Sequence, residues 1–156
     1  ALRVARRARR PLRLAGGLAE GKYWDRRLAP RLDRERRYVG MVRYTDMPRF
    51  YGAASVLLNP LRWEEPFGLV MTEAMACGTP VVAFPHGSVR EVVKPGVSGF
   101  IVKTIPEMVR AIPKAEALDR KKVRAHVEAH FSIERMVLGY EQVYEAVIRK
   151  SAKRKT

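Results

Sequence analysis

Short apolar runs alternate with longer amphipathic stretches along the chain. Runs such as residues 12–15 and 56–58 are bounded by Gly, Asn or Pro, a pattern that predicts buried strands ending in turns. Between these runs, apolar residues recur at helical spacing, which predicts helices with one apolar face. The alternation indicates an α/β fold in which a Rossmann-like parallel sheet is covered by helices on both faces.

This pattern predicts one folded unit, residues 1–150, followed by a disordered basic tail, residues 151–156. The predicted strands share short apolar runs beside turn residues: 12–15, 37–42, 56–58, 81–84 and the end of 96–103. The predicted helices share apolar residues at intervals of three and four: 1–10, 18–33, a short segment capped by Thr45 or Asp46, 66–78, 87–93, 105–115, 118–131 and 132–150. Pro66 is typical of a first helical turn and Gly78 of a helix stop.

Charge is distributed unevenly along the chain. The 156 residues carry a formal net charge of +15, of which residues 1–43 contribute +10, residues 44–101 contribute −1 and residues 102–156 contribute +6. A basic excess of this size favours contact with phosphates or anionic lipid. A solvated, arginine-rich surface is the simpler interpretation. The middle of the chain is therefore nearly neutral.

Several classes of protein are disfavoured by the sequence. No run approaches the length of a membrane span, and the N-terminus lacks the apolar core of a signal peptide. The single cysteine, Cys77, cannot form an internal disulfide, which fits a reducing cytoplasm. The three histidines have no second ligand type at metal-binding spacing. We therefore expect a cytoplasmic protein without a bound metal or cofactor.

The nearly neutral middle of the chain contains a candidate ligand site. Because ligands of parallel sheets bind beyond the carboxyl ends of the strands, the loop after residues 56–58 places Glu65 at the mouth of the crevice. The helix predicted to begin at residues 66–69 offers free amides to an anion, and Gly68 allows a close approach. Glu73, one to two turns along, can accept hydrogen bonds from a diol such as ribose. Equally, acids in a first helical turn complement the helix dipole, and loop acids are usually solvated.

The stretch EEPFGLVMTEAMACGTPVVAFPHGSVREVVKPGVSGFIV, residues 64–102, resembles the nucleotide-sugar-binding half of family 4 (group 1) glycosyltransferases. The motif is a pair of glutamates separated by seven residues, here Glu65 and Glu73. Phe-Gly follows the first glutamate closely, and Ala-Cys-Gly-Thr-Pro-Val-Val follows the second. A weaker resemblance extends over residues 11–150. It implies the C-terminal half of a GT-B fold and transfer of a sugar from a nucleotide-diphosphate donor, with retention of configuration and without a bound divalent metal.

The resemblance also implies roles for individual residues. Glu65 is the expected catalytic residue, contacting donor-sugar hydroxyls and stabilising the transition state, while Glu73 is expected to hold the ribose hydroxyls. The other expected donor-binding residues lie in turns or at strand ends: Gly16, Gly17, Val42, Phe67, Gly68, Leu69, Gly87 and Ser88.

Two features of such enzymes have no counterpart in this sequence. They are the N-terminal acceptor domain and the first strand of the C-terminal domain, whose following loop carries an Arg and a Lys that neutralise the diphosphate. Without these groups, positioning and leaving-group stabilisation would be lost. We therefore expect the chain to bind the donor weakly and to lack useful turnover by itself.

A different class of function is suggested by the basic charge alone. A basic module could bind nucleic acid or an anionic membrane surface, and peripheral membrane contact is also compatible with a glycosyltransferase. The basic clusters lack interleaved aromatic residues and contain no nucleic-acid-reading motif. Nucleic acid is therefore the less favoured partner.

Overall fold

The computed structural model describes residues 1–18 and 22–153. Its strands are short and lie within one residue of the predicted apolar runs: β1 (Leu12–Leu14), β2 (Arg36–Tyr38), β3 (Leu57–Asn59), β4 (Val81–Ala83) and β5 (Gly99–Ile101). Its α-helices are α1 (Leu2–Arg7), α2 (Met47–Gly52), α3 (Leu69–Ala76), α4 (Val89–Val92), α5 (Ile105–Glu116), α6 (Arg120–His130) and α7 (Ile133–Lys153).

All strand pairs in the described residues are parallel, as predicted. Their hydrogen bonds group the strands into two sheets, β1–β2 and β3–β4–β5. In the first sheet Leu12 pairs with Arg36, and in the second Leu57 and Gly99 pair with Val81 from opposite sides. A cavity lined by β1 and β3 lies between the two sheets.

The core is built on both faces of β4, whose three residues are 0 % exposed. Because side chains alternate along a strand, Val81 and Ala83 pack on one side and Val82 on the other. The first side carries apolar residues of α3, α4 and α6. The second side carries apolar residues of α1 and α5. Helices therefore cover both faces, and the predicted α/β architecture is confirmed.

The predicted N-terminal helix and strand are present, but the next two predicted elements differ in the structure. The helix predicted over 18–33 is replaced by a π-helical turn, Trp24–Leu28, and a 3-10 turn, Ala29–Arg31, while residues 19–21 lie outside the described part. The strand predicted over 37–42 occupies Arg36–Tyr38 instead. Gly40 has φ +80°, a left-handed conformation outside the extended region, so the strand ends before it.

The helix predicted over 66–78 begins later than expected. Pro66 and Phe67 lie in the preceding loop, and α3 starts at Leu69 behind Gly68, which has φ +79°. A left-handed residue cannot continue an α-helix from Pro66, so the predicted start was wrong. Gly78, with φ +76°, ends the helix as predicted.

The C-terminal helix α7 extends to Lys153, past the predicted start of the tail. The tail residues 154–156 lie outside the described part of the chain. The apolar stripe of α7 is exposed, with Ile133 at 73 %, Tyr140 at 56 % and Val147 at 56 %. Among residues 1–18 and 22–153, no helix is both long and apolar enough to cross a bilayer.

Arg120 links α6 to the C-terminal end of α2 and to the loop after α3. Its guanidinium donates to the carbonyls of Gly52 and Ala54, each at 2.8 Å, and to the Thr79 hydroxyl at 2.9 Å. Arginine suits this position because its planar fork reaches several acceptors at once. The buried Thr79 hydroxyl in turn donates to the Tyr51 carbonyl at 2.7 Å.

We expect Arg120→Met to lower the free energy of unfolding by about 1–2 kcal/mol, because several hydrogen bonds are lost together. The matched control is Arg124→Met, which removes only a surface ion pair with Glu128 in the same helix and is expected to cost at most about 0.5 kcal/mol. Urea denaturation of both variants measures the difference. Equal losses would contradict the linking role of Arg120.

Candidate active site

Two loops meet at the carboxyl ends of β3 and β4. The amide of Ser88 donates to the carbonyl of Glu65 at 3.1 Å, and the Ser88 hydroxyl donates to the carbonyl of Phe67. Ser88 is 7 % exposed. Its hydroxyl thus joins the loops, while its expected contact with a donor sugar stays a prediction.

Gly87 brings the two loop backbones into direct contact. It has φ +58°, and a Cβ atom at this position would lie 2.2 Å from the carbonyl oxygen and 2.5 Å from the amide nitrogen of Glu65. No side chain fits there without moving the backbone. Gly87 is therefore required for the position of Glu65.

Glu64, which is exposed, stabilises the same contact between the two loops. Its carboxylate accepts a hydrogen bond from the Gly87 amide and lies 3.3 Å from His86 Nδ1. The Gly87 hydrogen bond, followed by the hydrogen bond to His86, holds the pKa of Glu64 below its ordinary value. Sequence reasoning assigned no role to Glu64, because its partners are 22 and 23 residues away and come close only in the fold.

Glu65 is half-buried and is held by a neighbouring aromatic side chain. Trp63 Nε1 donates to Glu65 Oε2 at 2.9 Å. Trp63 is 60 % exposed, so its contact with Glu65 lies on the open side of the loop. The indole occupies one carboxylate oxygen, and within the described part of the chain no side chain or amide occupies the other.

The start of α3 lies between the two glutamates in the sequence. Gly68 precedes the helix in a left-handed conformation, and a Cβ atom there would meet Met71 Cε at 2.5 Å. Leu69 and Val70 are exposed at 64 % and 43 %. Because the first amides of a helix have no intrahelical acceptor, the backbone here can receive an anion.

Glu73 is held by a buried phenol. The Tyr51 hydroxyl donates to Glu73 Oε2 at 3.0 Å, and Tyr51 is 6 % exposed. Burial, and then the hydrogen bond to Glu73, raise the pKa of the Tyr51 hydroxyl. Tyr51 therefore stays a neutral donor and fixes one oxygen of the Glu73 carboxylate.

The remaining predicted site residues occupy different places. Gly16 and Val42 line the cavity between the sheets, together with Tyr51 and Val70. Gly17 is exposed beside them. Phe67 packs edge to face against Phe131 of the α6 end, with 6.1 Å between ring centroids. Glu65 thus contacts Gly87 and Ser88 directly. Gly16 and Val42 instead line the same cavity as Tyr51, whose hydroxyl binds Glu73.

Comparison with known proteins identifies the family. The model for "Glycosyl transferases group 1" matches residues 2–116. The chain belongs to this family. The resemblance carried by the two glutamates and the turn after them is confirmed.

Known glycosyltransferases align with the chain over part of their own length. It is 36 % identical over 121 residues to a D-inositol 3-phosphate glycosyltransferase of Geodermatophilus obscurus, an alignment covering 74 % of the chain and 26 % of that protein. It is 33 % identical over 134 residues to a GDP-mannose-dependent monoacylated alpha-(1-6)-phosphatidylinositol monomannoside mannosyltransferase of Corynebacterium glutamicum, covering 76 % and 35 %. The chain thus spans about a quarter to a third of the length of these glycosyltransferases.

A solved structure supports the fold. The sucrose-phosphate synthase of Thermosynechococcus elongatus superimposes with a TM-score of 0.77 and 29 % identity, covering 96 % of the chain and 42 % of that protein. The expectation that the chain forms one α/β half of a GT-B fold is confirmed by this match.

We expect Gly87→Ala to displace the Glu65 loop, because the new methyl group would overlap the Glu65 backbone. Gly96→Ala is the matched control: Gly96 also has a positive φ, +77°, but nothing lies within 4 Å of its Cβ position. The free energy of unfolding of the control should fall by only about 1–2 kcal/mol, the cost of placing alanine in a left-handed conformation. Denaturation and amide shifts of Glu65 and Ser88 measure the two effects. Unchanged Glu65 shifts in Gly87→Ala would contradict the contact.

We expect the Gly87 amide resonance to titrate with the Glu64 carboxylate. The pKa of Glu64 is lower in the folded chain than the ordinary glutamate value of about 4.3. The ionised carboxylate therefore stabilises the fold fully above that ordinary value, and this stabilisation is lost as the pH falls through the pKa of the folded chain. The titration midpoint should therefore lie below the ordinary value and vanish in Glu64→Gln. Glu91→Gln, in α4, is the control and should leave the midpoint unchanged. A midpoint at or above the ordinary value would contradict the hydrogen bond.

Proposed function

We propose that the chain binds the nucleotide-diphosphate sugar of a family 4 glycosyltransferase reaction that retains configuration. The observation that carries this proposal is the arrangement around α3. Helix-start amides, which have no intrahelical acceptor, are flanked in sequence by two glutamates, each with one oxygen held by a neutral aromatic donor. Such a site offers backbone donors to phosphate and carboxylate acceptors to hydroxyl groups.

The diphosphate end of the donor is assigned to the beginning of α3. The amides of Leu69 and Val70 and the positive end of the helix dipole favour the phosphate nearest the sugar. Gly68 turns the chain into the helix in a left-handed conformation, and a Cβ atom there would press on Met71. The near-neutral charge of this region fits the assignment, because backbone amides can contact the phosphate nearest the sugar without a lysine or arginine in this stretch.

The sugar is assigned to Glu65 and the loop of Gly87 and Ser88. The free carboxylate oxygen of Glu65 can accept from sugar hydroxyls while Trp63 fixes the other oxygen. As the bond from sugar to phosphate breaks, positive charge develops on the sugar, and a prepositioned carboxylate stabilises it. Such preorganisation depends on the Gly87 contact, which leaves the Glu65 backbone little freedom.

The nucleoside is assigned to Glu73 and the cavity mouth. The second oxygen of Glu73 can accept from a ribose hydroxyl, since Tyr51 occupies the first. Gly16 and Val42, beside Tyr51 in the cavity lining, are proposed to border the base, together with Gly17. One relative supports this substrate class, because it is a GDP-mannose-dependent mannosyltransferase.

Ligand-observed NMR with UDP-, GDP- and ADP-sugars tests the proposal on the intact chain and on Glu73→Ala. The measurement is made at moderate salt, because a net charge of +15 attracts any nucleotide anion and salt screens that attraction. We expect one nucleotide to bind selectively and Glu73→Ala to weaken it by about tenfold or more, as for a hydrogen bond to a charged group.

Two controls make the result specific. Glu91→Ala removes an acid from α4 with the same change in net charge and should bind as the parent chain does. Binding should also persist in EDTA, because the proposal includes no divalent metal. Equal affinity of the parent chain and Glu73→Ala for every nucleotide would contradict the site.

A further inference from the structure

A second cavity lies between α1 and the start of α5, beside the carboxyl ends of β3, β4 and β5. It measures about 580 Å³, within the range of roughly 300–1,000 Å³ that is typical of small-molecule sites. Within the described part of the chain, its lining shares no residue with the cavity between the two sheets. Because parallel sheets bind ligands beyond the carboxyl ends of their strands, this position is suited to a binding site.

The polar wall of this cavity is positively charged. It carries four cationic side chains, two from α1, one from the loop after β3 and one from the loop after β5: Arg3, Arg7, Arg62 and Lys103. Among the described residues that line the cavity, there is no aspartate or glutamate. Positive charges from three separate parts of the sequence therefore surround one space.

Carboxylates do not neutralise these side chains by direct contact. In the residues that the structure describes, none of the four forms an ion pair. The acid nearest to Lys103 in the sequence, Glu107, accepts a hydrogen bond from the Lys103 backbone amide at 2.9 Å. Arg10, by contrast, pairs with Glu116 at 2.6 Å. The fold thus pairs a neighbouring arginine and leaves the cations of this cavity available to an external anion.

The surroundings strengthen the attraction for an anion. Arg3 and Arg7 lie four residues apart in α1, and like charges at this spacing repel each other and destabilise a helix. Phe84, which is 6 % exposed, contributes an apolar surface to the lining. Apolar walls around charges of one sign concentrate their electric field. An anion in the cavity would relieve the repulsion and experience a strong positive potential.

A phosphate monoester matches this set of donors. Near neutral pH it carries about two negative charges and has three terminal oxygens that accept hydrogen bonds. The planar guanidinium of arginine binds such oxygens in pairs. Thr104 and Ile105, at the start of α5, also line the cavity, so the positive end of the helix dipole adds to the attraction. A phosphate group fills only part of the volume, which leaves room for the group that it esterifies.

His86 places this cavity beside the candidate active site. Its side chain lines the cavity, and its Nδ1 lies 3.3 Å from the carboxylate of Glu64, which accepts a hydrogen bond from the Gly87 amide. The residues assigned to the donor, including Glu65 and Glu73, do not line this cavity. The cavity is therefore a neighbour of the proposed donor site and not a part of it.

We propose that the cavity between α1 and α5 binds the terminal phosphate group of a phosphate monoester, at a site separate from the donor diphosphate. Arg3 and Arg7 bind this phosphate from α1, and Arg62 and Lys103 bind it from the loops. The site is independent of the proposed function, because it uses neither Glu65 nor Glu73.

An NMR titration at constant ionic strength tests the site on the intact chain. The probe is methyl phosphate, and its control is dimethyl phosphate, a diester with a single negative charge. We expect methyl phosphate to cause saturable shifts of the amides of His86, Lys103 and Thr104. The diester should bind about tenfold more weakly or worse, because it loses a charge and an acceptor oxygen. The amides of Leu69 and Val70 report on the proposed donor site in the same spectra.

A double variant assigns the binding to the cavity. Arg62→Gln/Lys103→Gln changes two exposed residues and should weaken methyl phosphate binding by about tenfold or more. The matched control is Lys121→Gln/Lys122→Gln, which removes the same charge from exposed positions of α6. We expect the control to bind methyl phosphate as the parent chain does.

Vesicle sedimentation distinguishes two sources of the phosphate, a lipid headgroup and a soluble compound. Phosphatidylcholine vesicles are compared with and without phosphatidic acid, whose headgroup is a phosphate monoester. Co-sedimentation that requires phosphatidic acid, and that is lost only in the cavity double variant, would support a lipid headgroup in the cavity. Once methyl phosphate binding is established, equal sedimentation of both double variants would support a soluble ligand.

Three results of the titration would overturn the proposal. The first is the absence of saturable binding of methyl phosphate to the folded chain. The second is equal weakening in both double variants, which would indicate a general effect of net charge. The third is a set of shifts confined to the amides of Leu69 and Val70, which would assign the phosphate to the start of α3. That third result would leave the proposed donor site intact, and loss of nucleotide binding alone would leave the cavity intact.

Discussion

Gly87 and Glu65 bring two loop backbones closer together than any side chain would allow, and the rest of the candidate site depends on this contact. It fixes the loop after β3 against the loop after β4, so Glu65 emerges at a defined point beyond the sheet. The Ser88 hydroxyl and the Glu64 carboxylate then close the contact from two sides. Each of these bonds uses a backbone group, so the geometry is insensitive to most exposed side chains. The Glu65 backbone is thus positioned by main-chain packing.

The parts of the fold that the sequence predicts well are those decided by side-chain burial. The helices α5, α6 and α7 follow apolar spacing, and β4 is an uninterrupted apolar run between turn residues. The failures come from backbone conformation, which the pattern does not carry. Gly40 and Gly68 both adopt positive φ, which ends β2 early and delays α3 beyond Pro66. A glycine permits such a conformation, but only the tertiary contacts around it show whether it is used.

The same division applies to the site. Glu65 and Glu73 follow from their spacing and from the resemblance to glycosyltransferases, because the motif lies in one continuous stretch. The bonds from Trp63, Tyr51 and Gly87 to the acids of this site could not be predicted, since a side-chain rotamer or a contact across 22 or 23 residues decides each of them. These contacts determine which carboxylate oxygens remain free for a ligand.

A nearly neutral site in a strongly basic chain has a physical explanation in these contacts. The glutamates are held by neutral donors, an indole and a phenol, and each still offers an acceptor oxygen. A carboxylate repels a phosphate that enters in the wrong place, whereas helix-start amides attract one in the right place. The basic flanks act at longer range and raise the local concentration of any anion. In the proposed donor site, selection among anions would therefore rest on the amides and carboxylates around α3, since the flanking charge does not distinguish one phosphate compound from another.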